Sequence, residues 1–421
     1  MNQNQQTMKK IIISSLLLVF TMLLTIPSNA CTTAVISGKY TKSGRPILWK
    51  NRDTWFINNI LYQFNDGKYK YVGLVNSKDL NHQSVWIGMN SEGFSIMNSA
   101  SYNLNFGCNA KLTGLEGRIM KEALATCKTL ADFEAYLDSL PKPTGLEANF
   151  GVIDAQGGAA FYEVGHETIV KLDANDPTIA PFGYIIRGNY SHTGRLGNES
   201  GGYIRYNTAS ELFYEKASTD GLTAQYIQQN VAKSLRHSLL KEDLYDVAGN
   251  LPPNHPKYKH FRDYIARSGS SSSCVVEGIK IGENPNLTTL WSNVGFPLTS
   301  VIIPTWVSDN SLPEIAQYKE EIKDSPICNA ALQLKDEKVL PIRWGKAEHQ
   351  YIDVNAIANN KGTGITQVLK KYEDEIYKKT YHQLGDWRKN GKTNSKDIKA
   401  FYQWINNYVK DAYLKEFEIK M

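Results

Sequence analysis

Residues 31–54 read CTTAVISGKYTKSGRPILWKNRDT, and this stretch decides the fold. Two segments rich in β-forming residues, 31–37 and 47–54, flank a turn over 42–46 that contains glycine and proline. This order predicts a β-hairpin. The hairpin begins with Cys31, so the chemistry of the protein depends on what precedes that cysteine.

The first thirty residues have the pattern of a secretory signal peptide. Lys9 and Lys10 form a basic start, residues 11–26 form an apolar run, and the small residues of a cleavage site end at Ala30. The run is shorter than the ~20 residues that span a membrane. We therefore expect cleavage before Cys31, export to the periplasm or out of the cell, and no stable membrane anchor.

Cys31 has four possible roles. It can be lipidated, form a disulfide, be merely buried, or be the first residue of the mature enzyme. A lipid-attachment signal usually has leucine three residues before the cysteine, where this chain has Ser28. An unperturbed α-amine has a pKa of ~7.7–8 and an unperturbed thiol one of ~8.5. A cysteine exposed by cleavage thus supplies a nucleophile and a base on one residue.

The remaining cysteines bear on the same question. In an exported protein they can form disulfides, with a connectivity that the sequence does not determine. With five cysteines, at least one thiol stays unpaired, and we expect Cys31 to be the free and reactive thiol. The four that can pair are Cys108, Cys127, Cys274 and Cys328.

The composition argues against a nucleic-acid-binding protein. The 421 residues carry a net charge of +5, and two of the positive charges lie in the leader, which has no acidic residue. The remaining chain carries about +3, which is too little to attract nucleic acid. The eight histidines form no metal-binding motif, and neither GxSxG nor a P-loop occurs. We expect no metal and no cofactor.

Strand-like and helix-like segments follow one another in blocks, which predicts an α+β fold rather than a parallel βαβ sheet. Further hairpins are predicted over 84–98 and 150–164, and strands at 169–171, 184–187, 274–281 and 287–303. The predicted helices cover 115–140, 204–217, 223–240, 365–387 and 395–417. The run SGSSSS at 268–273 reads as a flexible connector.

The opening motif resembles the start of the cysteine N-terminal nucleophile (Ntn) hydrolases of the linear-amide group. That group contains choloylglycine hydrolases, penicillin V acylases and isopenicillin N acyltransferase-like enzymes. A cysteine-nucleophile dipeptidase family opens in a similar way. Later stretches extend the resemblance to about residues 31–304: GMNSEGFSIMN, GVIDAQGGAAFYEVG, IIRGNYSHTG, GGYIRYNTASELF and LWSNVGFPLTSVIIP.

The resemblance implies a four-layer αββα sandwich, in which two antiparallel sheets pack between helices. Together with the leader, this predicts three parts of the chain: the signal peptide 1–30, a catalytic domain 31–310, and a mainly helical extension 311–421 that packs on the same domain.

The resemblance further assigns roles around the nucleophile. Cys31 attacks the substrate carbonyl, and Asp53 accepts a hydrogen bond from the α-ammonium or the thiol of Cys31. Arg205 lowers the thiol pKa or clamps a carboxylate of the substrate. Asn98 and Asn189 donate to the oxyanion that forms on the carbonyl oxygen.

One position departs from the pattern of the choloylglycine group. Many of its hydrolases have arginine three residues before the aspartate, where this chain has Lys50. Lysine supplies positive charge without the planar fork of arginine, which puts recognition of a bile-salt-like substrate in doubt. Strand alternation is expected to turn Arg52 to the other face of the strand, so that it does not replace Lys50.

The expected activity is hydrolysis of a linear amide C–N bond in an N-acyl amino acid, bile salt, penicillin or small peptide, through a thioester on Cys31. A cysteine-nucleophile dipeptidase or an acyltransferase is the enzyme alternative. A non-catalytic periplasmic binding lipoprotein is the alternative from another class. The partner expected for the enzyme is a small-molecule amide, and the sequence leaves oligomerisation open.

Overall fold

A computed structural model describes residues 31–108, 110–195, 197, 201–307 and 311–421. The signal peptide predicted over 1–30 lies outside the described residues. The strands, in chain order, are β1 (Thr32–Ile36), β2 (Ile47–Asp53), β3 (Asn59–Phe64), β4 (Tyr71–Asn76), β5 (Ile87–Asn90), β6 (Ser95–Ala100), β7 (Ala148–Ile153), β8 (Ala159–Val164), β9 (Ile169–Asp173), β10 (Tyr184–Arg187), β11 (Arg236–His237), β12 (Glu242–Asp243), β13 (Tyr258–His260), β14 (Ser270–Glu277), β15 (Thr289–Val294), β16 (Ile302–Thr305) and β17 (Tyr351–Asp353).

The hairpin predicted from the opening motif is confirmed and forms part of a six-stranded antiparallel sheet. Its strand order is β10-β1-β2-β14-β15-β16, so the strand that follows Cys31 has a neighbour on each side. In this register Thr33 lies between Arg187 of β10 and Lys50 of β2. The end of β10 therefore meets the beginning of β1, although the two are far apart in the sequence.

A second antiparallel sheet contains β3 to β9 in chain order. The hairpins predicted over 84–98 and 150–164 form β5–β6 and β7–β8 in it. Gly93 closes the first of these turns at a φ of 82°, a left-handed conformation that favours glycine. The sequence did not identify β3 and β4, because asparagine, glutamine and glycine interrupt their apolar pattern.

Helices cover the outer faces of both sheets. The helices are α1 (Glu116–Thr126), α2 (Leu130–Asp138), α3 (Tyr203–Ala217), α4 (Ala224–Tyr226), α5 (Leu244–Ala248), α6 (Pro326–Leu334), α7 (Val354–Ile357), α8 (Ile365–Asn390) and α9 (Ser395–Phe417). The β1 and β2 strands face β6 and β7, while α1 packs on β5 and β6. On the other side, α3 contacts β10 and α8 contacts β16. The expected four-layer αββα arrangement is confirmed.

Two predicted helices have different bounds in the structure. The helix expected over 115–140 is divided between α1 and α2, because Thr129 starts a new helix with a capping box to Asp132. The helix expected over 223–240 ends early: α4 continues into a π-helical turn, Ile227–Val231, and the chain then enters β11.

The serine run is not a flexible connector, and this prediction was wrong. Residues 270–273 open β14, which pairs with β2 on one side and β15 on the other. All four serines are buried. Their hydroxyl-bearing side chains are small enough to fit the centre of a sheet covered on both faces, and local composition does not reveal that setting.

The C-terminal helices pack on the outer face of the first sheet. Glu373 of α8 accepts a hydrogen bond from Lys233 at 2.6 Å, and both side chains are buried. Tyr402 of α9 accepts a hydrogen bond from the backbone N–H of Trp306, and Tyr413 donates to the carbonyl of Thr299. Polar contacts thus tie residues beyond 311 to the sheet that contains Cys31.

The five cysteines are all described, and none forms a disulfide. Within the described ranges, none of the helices has the length and apolar character that a membrane span needs. The same ranges hold no group of three or more His, Cys, Asp or Glu side chains arranged to bind a metal ion.

Candidate active site

Cys31 lies directly before β1 and is largely buried, with 7% of its surface exposed. The register that pairs Thr32 with Asn51 and Thr33 with Lys50, continued by one residue, places Cys31 opposite Arg52. Directly opposed residues of antiparallel strands point to the same face. The thiol therefore shares the inter-sheet face with Lys50 and Arg52.

Arg205 holds the backbone of the nucleophile. Its Nη1 donates to the carbonyl oxygen of Cys31 at 3.0 Å and to Oγ1 of Thr32 at 2.9 Å. Its Nη2 donates to Oδ1 of Asn189 at 3.2 Å. Only 1% of the arginine is exposed. These contacts make Arg205 a positioning residue rather than the substrate clamp that was one of its expected roles.

Two glycines allow Arg205 and Asn189 to approach each other. A Cβ on Gly202 would lie 2.4 Å from Nη2 of Arg205, and the backbone there has a φ of 95°. A Cβ on Gly201 would lie 2.6 Å from the carbonyl oxygen of Asn189. Real Cβ atoms do not come this close, so the pair of glycines is a sequence signal for a tight junction at this place.

Asp53 joins the same network through its carboxylate. Oδ2 accepts from Nε of Arg267 at 2.7 Å and lies 3.5 Å from Nη1 of Arg205, and Oδ1 accepts from Oγ of Ser270 at 2.6 Å. Among the described residues, the link from Asp53 to Cys31 therefore runs through Arg205. The hydrogen bond expected from Cys31 itself stays a prediction for the mature chain.

A β-bulge brings Ser270 onto Asp53. Asp53 pairs with Ser270 and Arg52 pairs with Ser272, so Ser271 is the extra residue. The bulge turns Ser270 to the face that Asp53 occupies. Sequence reasoning missed both Ser270 and Arg267. The sequence signal for these two residues was a polar run directly after an arginine. It was overlooked because the run was interpreted as a flexible connector.

Lys50 connects the two sheets at the site. Its Nζ donates to Oδ1 of Asn98 at 2.7 Å and to the carbonyl oxygen of Trp86 at 2.9 Å. An ammonium group can only donate, so the amide atom that faces it is the oxygen. This contact occupies Oδ1 of Asn98 and leaves its Nδ2 as a donor. Among the described residues, Nδ2 has no hydrogen-bond partner.

Arg52 lies on the same face as Lys50, contrary to expectation. The two residues are two positions apart, and positions i and i+2 of a strand share a face. Both cations lie against the Trp86 ring, 4.5 Å for Arg52 and 5.8 Å for Lys50 from its centroid. The guanidinium of Arg52 donates to Oδ1 of Asn59 and of Asn76. It therefore anchors the beginning of β3 and the end of β4.

Asn189 is fully buried directly beyond β10. Its Nδ2 donates to the carbonyl oxygen of Ala100 at 3.0 Å, while its Oδ1 accepts from Arg205. One amide hydrogen of Asn189 is thus already engaged. Its direct contacts orient Arg205, and its role as an oxyanion donor remains a prediction that depends on the second hydrogen.

A buried ion pair supports the loop that carries Asn189. Glu163 of β8 accepts from Nε of Arg187 at 2.7 Å and from the backbone N–H groups of His192 and Thr193 at 2.9 and 2.8 Å. The carboxylate therefore binds the chain on both sides of Asn189. Neutral backbone and a buried cation together compensate the charge of Glu163.

The electrostatic environment of Cys31 is cationic. Burial lowers the pKa of Lys50 to about 8, and an electrostatic interaction with Cys31 opposes that shift. Burial likewise lowers the pKa of Arg52 to about 10, again opposed by Cys31. Cys31 also interacts electrostatically with Arg205 and Arg267. Four cationic side chains thus interact electrostatically with Cys31.

The other buried thiols are poorly suited to serve as the nucleophile. Burial raises the pKa of Cys274 to about 12, and it raises the pKa of Cys328 well above its ordinary value. Burial also raises the pKa of Cys127, to about 11. Since the thiolate is the reactive form, these side chains remain largely protonated at neutral pH.

No model of a known protein family matches the sequence, and no curated protein matches it. Several solved structures are similar in fold. A mutant of the conjugated bile acid hydrolase from Clostridium perfringens aligns with a TM-score of 0.39 and 12% identity, over 66% of this chain and 92% of that one. The penicillin V acylase from Agrobacterium tumefaciens gives 0.36 and 11%, over 66% and 86%. An N-acylethanolamine-hydrolyzing acid amidase ortholog from Caenorhabditis elegans gives 0.33 and 15%, over 44% and 79%. At these values the likeness fixes neither a family nor an activity.

Proposed function

We propose that this chain is an exported amidohydrolase that cleaves a linear amide C–N bond, with Cys31 as the first residue of the mature enzyme. One observation carries the proposal. Arg205 contacts the backbone of Cys31, the side chain of Asn189 and the carboxylate of Asp53. This buried network joins four separate stretches of the chain. Such a network would hold the first residue of a mature chain in place, a constraint that an ordinary structural cysteine does not need.

The α-amine of Cys31 acts first as the general base. It takes the thiol proton, and Sγ attacks the carbonyl carbon of the substrate amide. The carbonyl oxygen becomes an oxyanion, which Nδ2 of Asn98 is oriented to stabilise because Lys50 holds its Oδ1. The surrounding cations favour the same negative charge.

The C–N bond breaks in the next step. The α-ammonium gives its proton to the leaving amine, and the acyl group remains on Sγ as a thioester. The amine of Cys31 then takes a proton from water, whose oxygen attacks the thioester. Collapse of this second intermediate releases the carboxylic acid and restores the thiol.

The position of Asp53 suits the α-amine. A register continued beyond Cys31 brings the chain level with Asp53, so a free amine at Cys31 points toward that carboxylate. A neighbouring carboxylate stabilises the ammonium form that must deliver the proton. Removal of the preceding residues is thus the activation step.

The proposal is tested by the mass and the N-terminal sequence of the exported protein. We expect an unmodified Cys31 at the N-terminus and, with a slowly hydrolysed amide, a mass increase equal to the acyl group. Cys31→Ala should fold and bind without turnover or acylation. A form that retains one Met before Cys31 should fold and be inactive, since an amide nitrogen is not basic. A diacylglycerol on Cys31, or full activity with a residue still attached, would contradict the mechanism and favour a lipoprotein or an ordinary cysteine enzyme.

A further inference from the structure

Among the described residues, Asp53 is the one carboxylate in direct contact with the four cationic side chains of the site. Among the described residues, Lys50 and Arg52 donate side-chain hydrogen bonds only to neutral oxygen atoms. Arg205 and Arg267 share a single carboxylate oxygen of Asp53, at 3.5 and 2.7 Å. Buried charges are normally paired, so this excess indicates a missing anion.

Only one of the four cations reaches solvent. Lys50, Arg52 and Arg205 are exposed by 1–3%. The side chain of Arg267 is 22% exposed. Arg267 is therefore the one of these four cations that a ligand entering from solvent meets first.

The guanidinium of Arg267 has free capacity for a ligand. Its Nε is used on Asp53, and among the described residues Nη1 and Nη2 have no hydrogen-bond partner. These two groups form a planar pair of donors, the geometry that binds a carboxylate with two parallel hydrogen bonds. The fixed Nε contact orients the pair before any ligand arrives.

The position of Arg267 decides which part of the substrate it meets. In the proposed mechanism the leaving amine must lie beside the α-amine of Cys31, which delivers a proton to it. Asp53 lies beside that α-amine, and Arg267 is bound to Asp53. Arg267 is consequently on the side of the leaving group and not on the side of the acyl group.

We propose that Arg267 binds a carboxylate on the leaving amine, so that the substrates are amides of amino acids: N-acyl amino acids, or dipeptides with a free C-terminal carboxylate. This assignment rests on the proposed function. It moves the carboxylate clamp from Arg205, where sequence reasoning put it as one option, to an arginine that the sequence did not single out.

The test compares each N-acylglycine with its neutral N-acylglycinamide, for acetyl, phenylacetyl and decanoyl groups. The wild-type enzyme should prefer the carboxylate by about 10- to 100-fold in kcat/KM, the range of a charge-assisted hydrogen bond. Arg267→Gln should bring the ratio of the two kcat/KM values close to 1. Any effect of this substitution through Asp53 should change both kcat/KM values by the same factor and leave the ratio unaffected. Arg267→Lys should give an intermediate ratio. Arg262→Gln, an exposed arginine nearby, should leave the ratio unchanged.

A binding measurement makes the result independent of turnover. In Cys31→Ala, calorimetry should show N-phenylacetylglycine binding at least 10-fold more tightly than its glycinamide, and Arg267→Gln on that background should remove the difference. Equal binding of the two ligands, or a preference that survives Arg267→Gln, overturns the carboxylate assignment and leaves the proposed function standing. A clear preference in binding with no turnover by correctly processed wild type supports the carboxylate assignment and overturns the proposed function.

Discussion

Asn98 and Asn189 were expected to act alike, but their contacts separate them. Lys50 holds Oδ1 of Asn98 and leaves its Nδ2 available, whereas Nδ2 of Asn189 already donates to Ala100. Asn98 is therefore the stronger candidate for direct contact with the oxyanion. Asn189 instead contacts Arg205, which holds the backbone of Cys31.

Asn98→Ala should lower kcat by about 10²–10³ with little change in KM, the effect of losing one oxyanion donor. Asn189→Ala should also lower kcat more than it raises KM, and in addition it should reduce thermal stability, because a buried guanidinium loses a partner. Asn98→Asp is the matched control: it keeps the shape and the Lys50 contact but removes the donor. Unchanged kcat in Asn98→Ala would leave backbone N–H groups as the donors.

Lys50 should limit activity at alkaline pH. Its pKa is lowered to about 8 by burial, so the side chain is charged below that pH and neutral above it. As pH rises through about 8 the oxyanion loses a nearby positive charge, and kcat should fall. In Lys50→Arg the charge persists, and the falling limb of the pH profile should move upward by more than one pH unit. A limb that stays in place would exclude Lys50 as its source.

The thiol of Cys274 provides a control at the site. It lies across from Lys50 in the sheet, yet burial raises its pKa to about 12. Cys274→Ser should keep kcat within a few-fold of wild type and cost about 1–2 kcal/mol in unfolding free energy, as buried polar replacements do. A loss of several orders of magnitude in the folded variant would show that the nucleophile has been assigned to the wrong cysteine.

At the scale of elements, alternation and turn chemistry were sufficient for the hairpins around Cys31, Gly93 and Asp154. These segments pair with their neighbours in sequence, and local pattern determines them. β14 could not be found in this way, since its serines are strand-forming only between β2 and β15. Arg267 was missed with it, because its contact with Asp53 joins residues 214 positions apart in the sequence.

The Asn189 loop depends on a charge that sequence reasoning did not use. Glu163→Gln should destabilise the protein by about 3–5 kcal/mol, because Arg187 then stays buried without a counter-charge. It should also lower kcat, since the loop loses its anchor. Glu134→Gln, in a half-exposed pair with Lys171 on the outer face of the same sheet, should cost at most about 1 kcal/mol. Urea unfolding and steady-state kinetics measure both effects.

At the scale of the whole molecule, the two sheets and the C-terminal helices share one extended hydrophobic cluster. The sequence predicted the bounds of α8 and α9 closely, from long amphipathic repeats. It did not predict their attachment, which includes the buried contact between Lys233 and Glu373. Charged residues in a helix usually face solvent, so pattern alone gives no reason to bury this pair.

Lys233→Met should destabilise the protein by about 3–5 kcal/mol, since it leaves the Glu373 carboxylate buried and uncompensated. The double variant Lys233→Met with Glu373→Leu should recover most of the loss. Unfolding followed by tryptophan fluorescence and by circular dichroism should give one coincident transition. Two separate transitions would show that the residues beyond 311 unfold independently of the catalytic sheets.

The serine-rich beginning of β14 also limits how this sequence can vary. Strands confine these four residues on both sides, and packed layers cover them above and below, so the space at each position is set by its neighbours. In a saturation library, 270–273 should accept little beyond serine, alanine, glycine and cysteine. At 270 even alanine should be depleted, since Asp53 would lose its hydroxyl partner. A stretch with the composition of a tolerant linker is thereby among the least permissive in the chain.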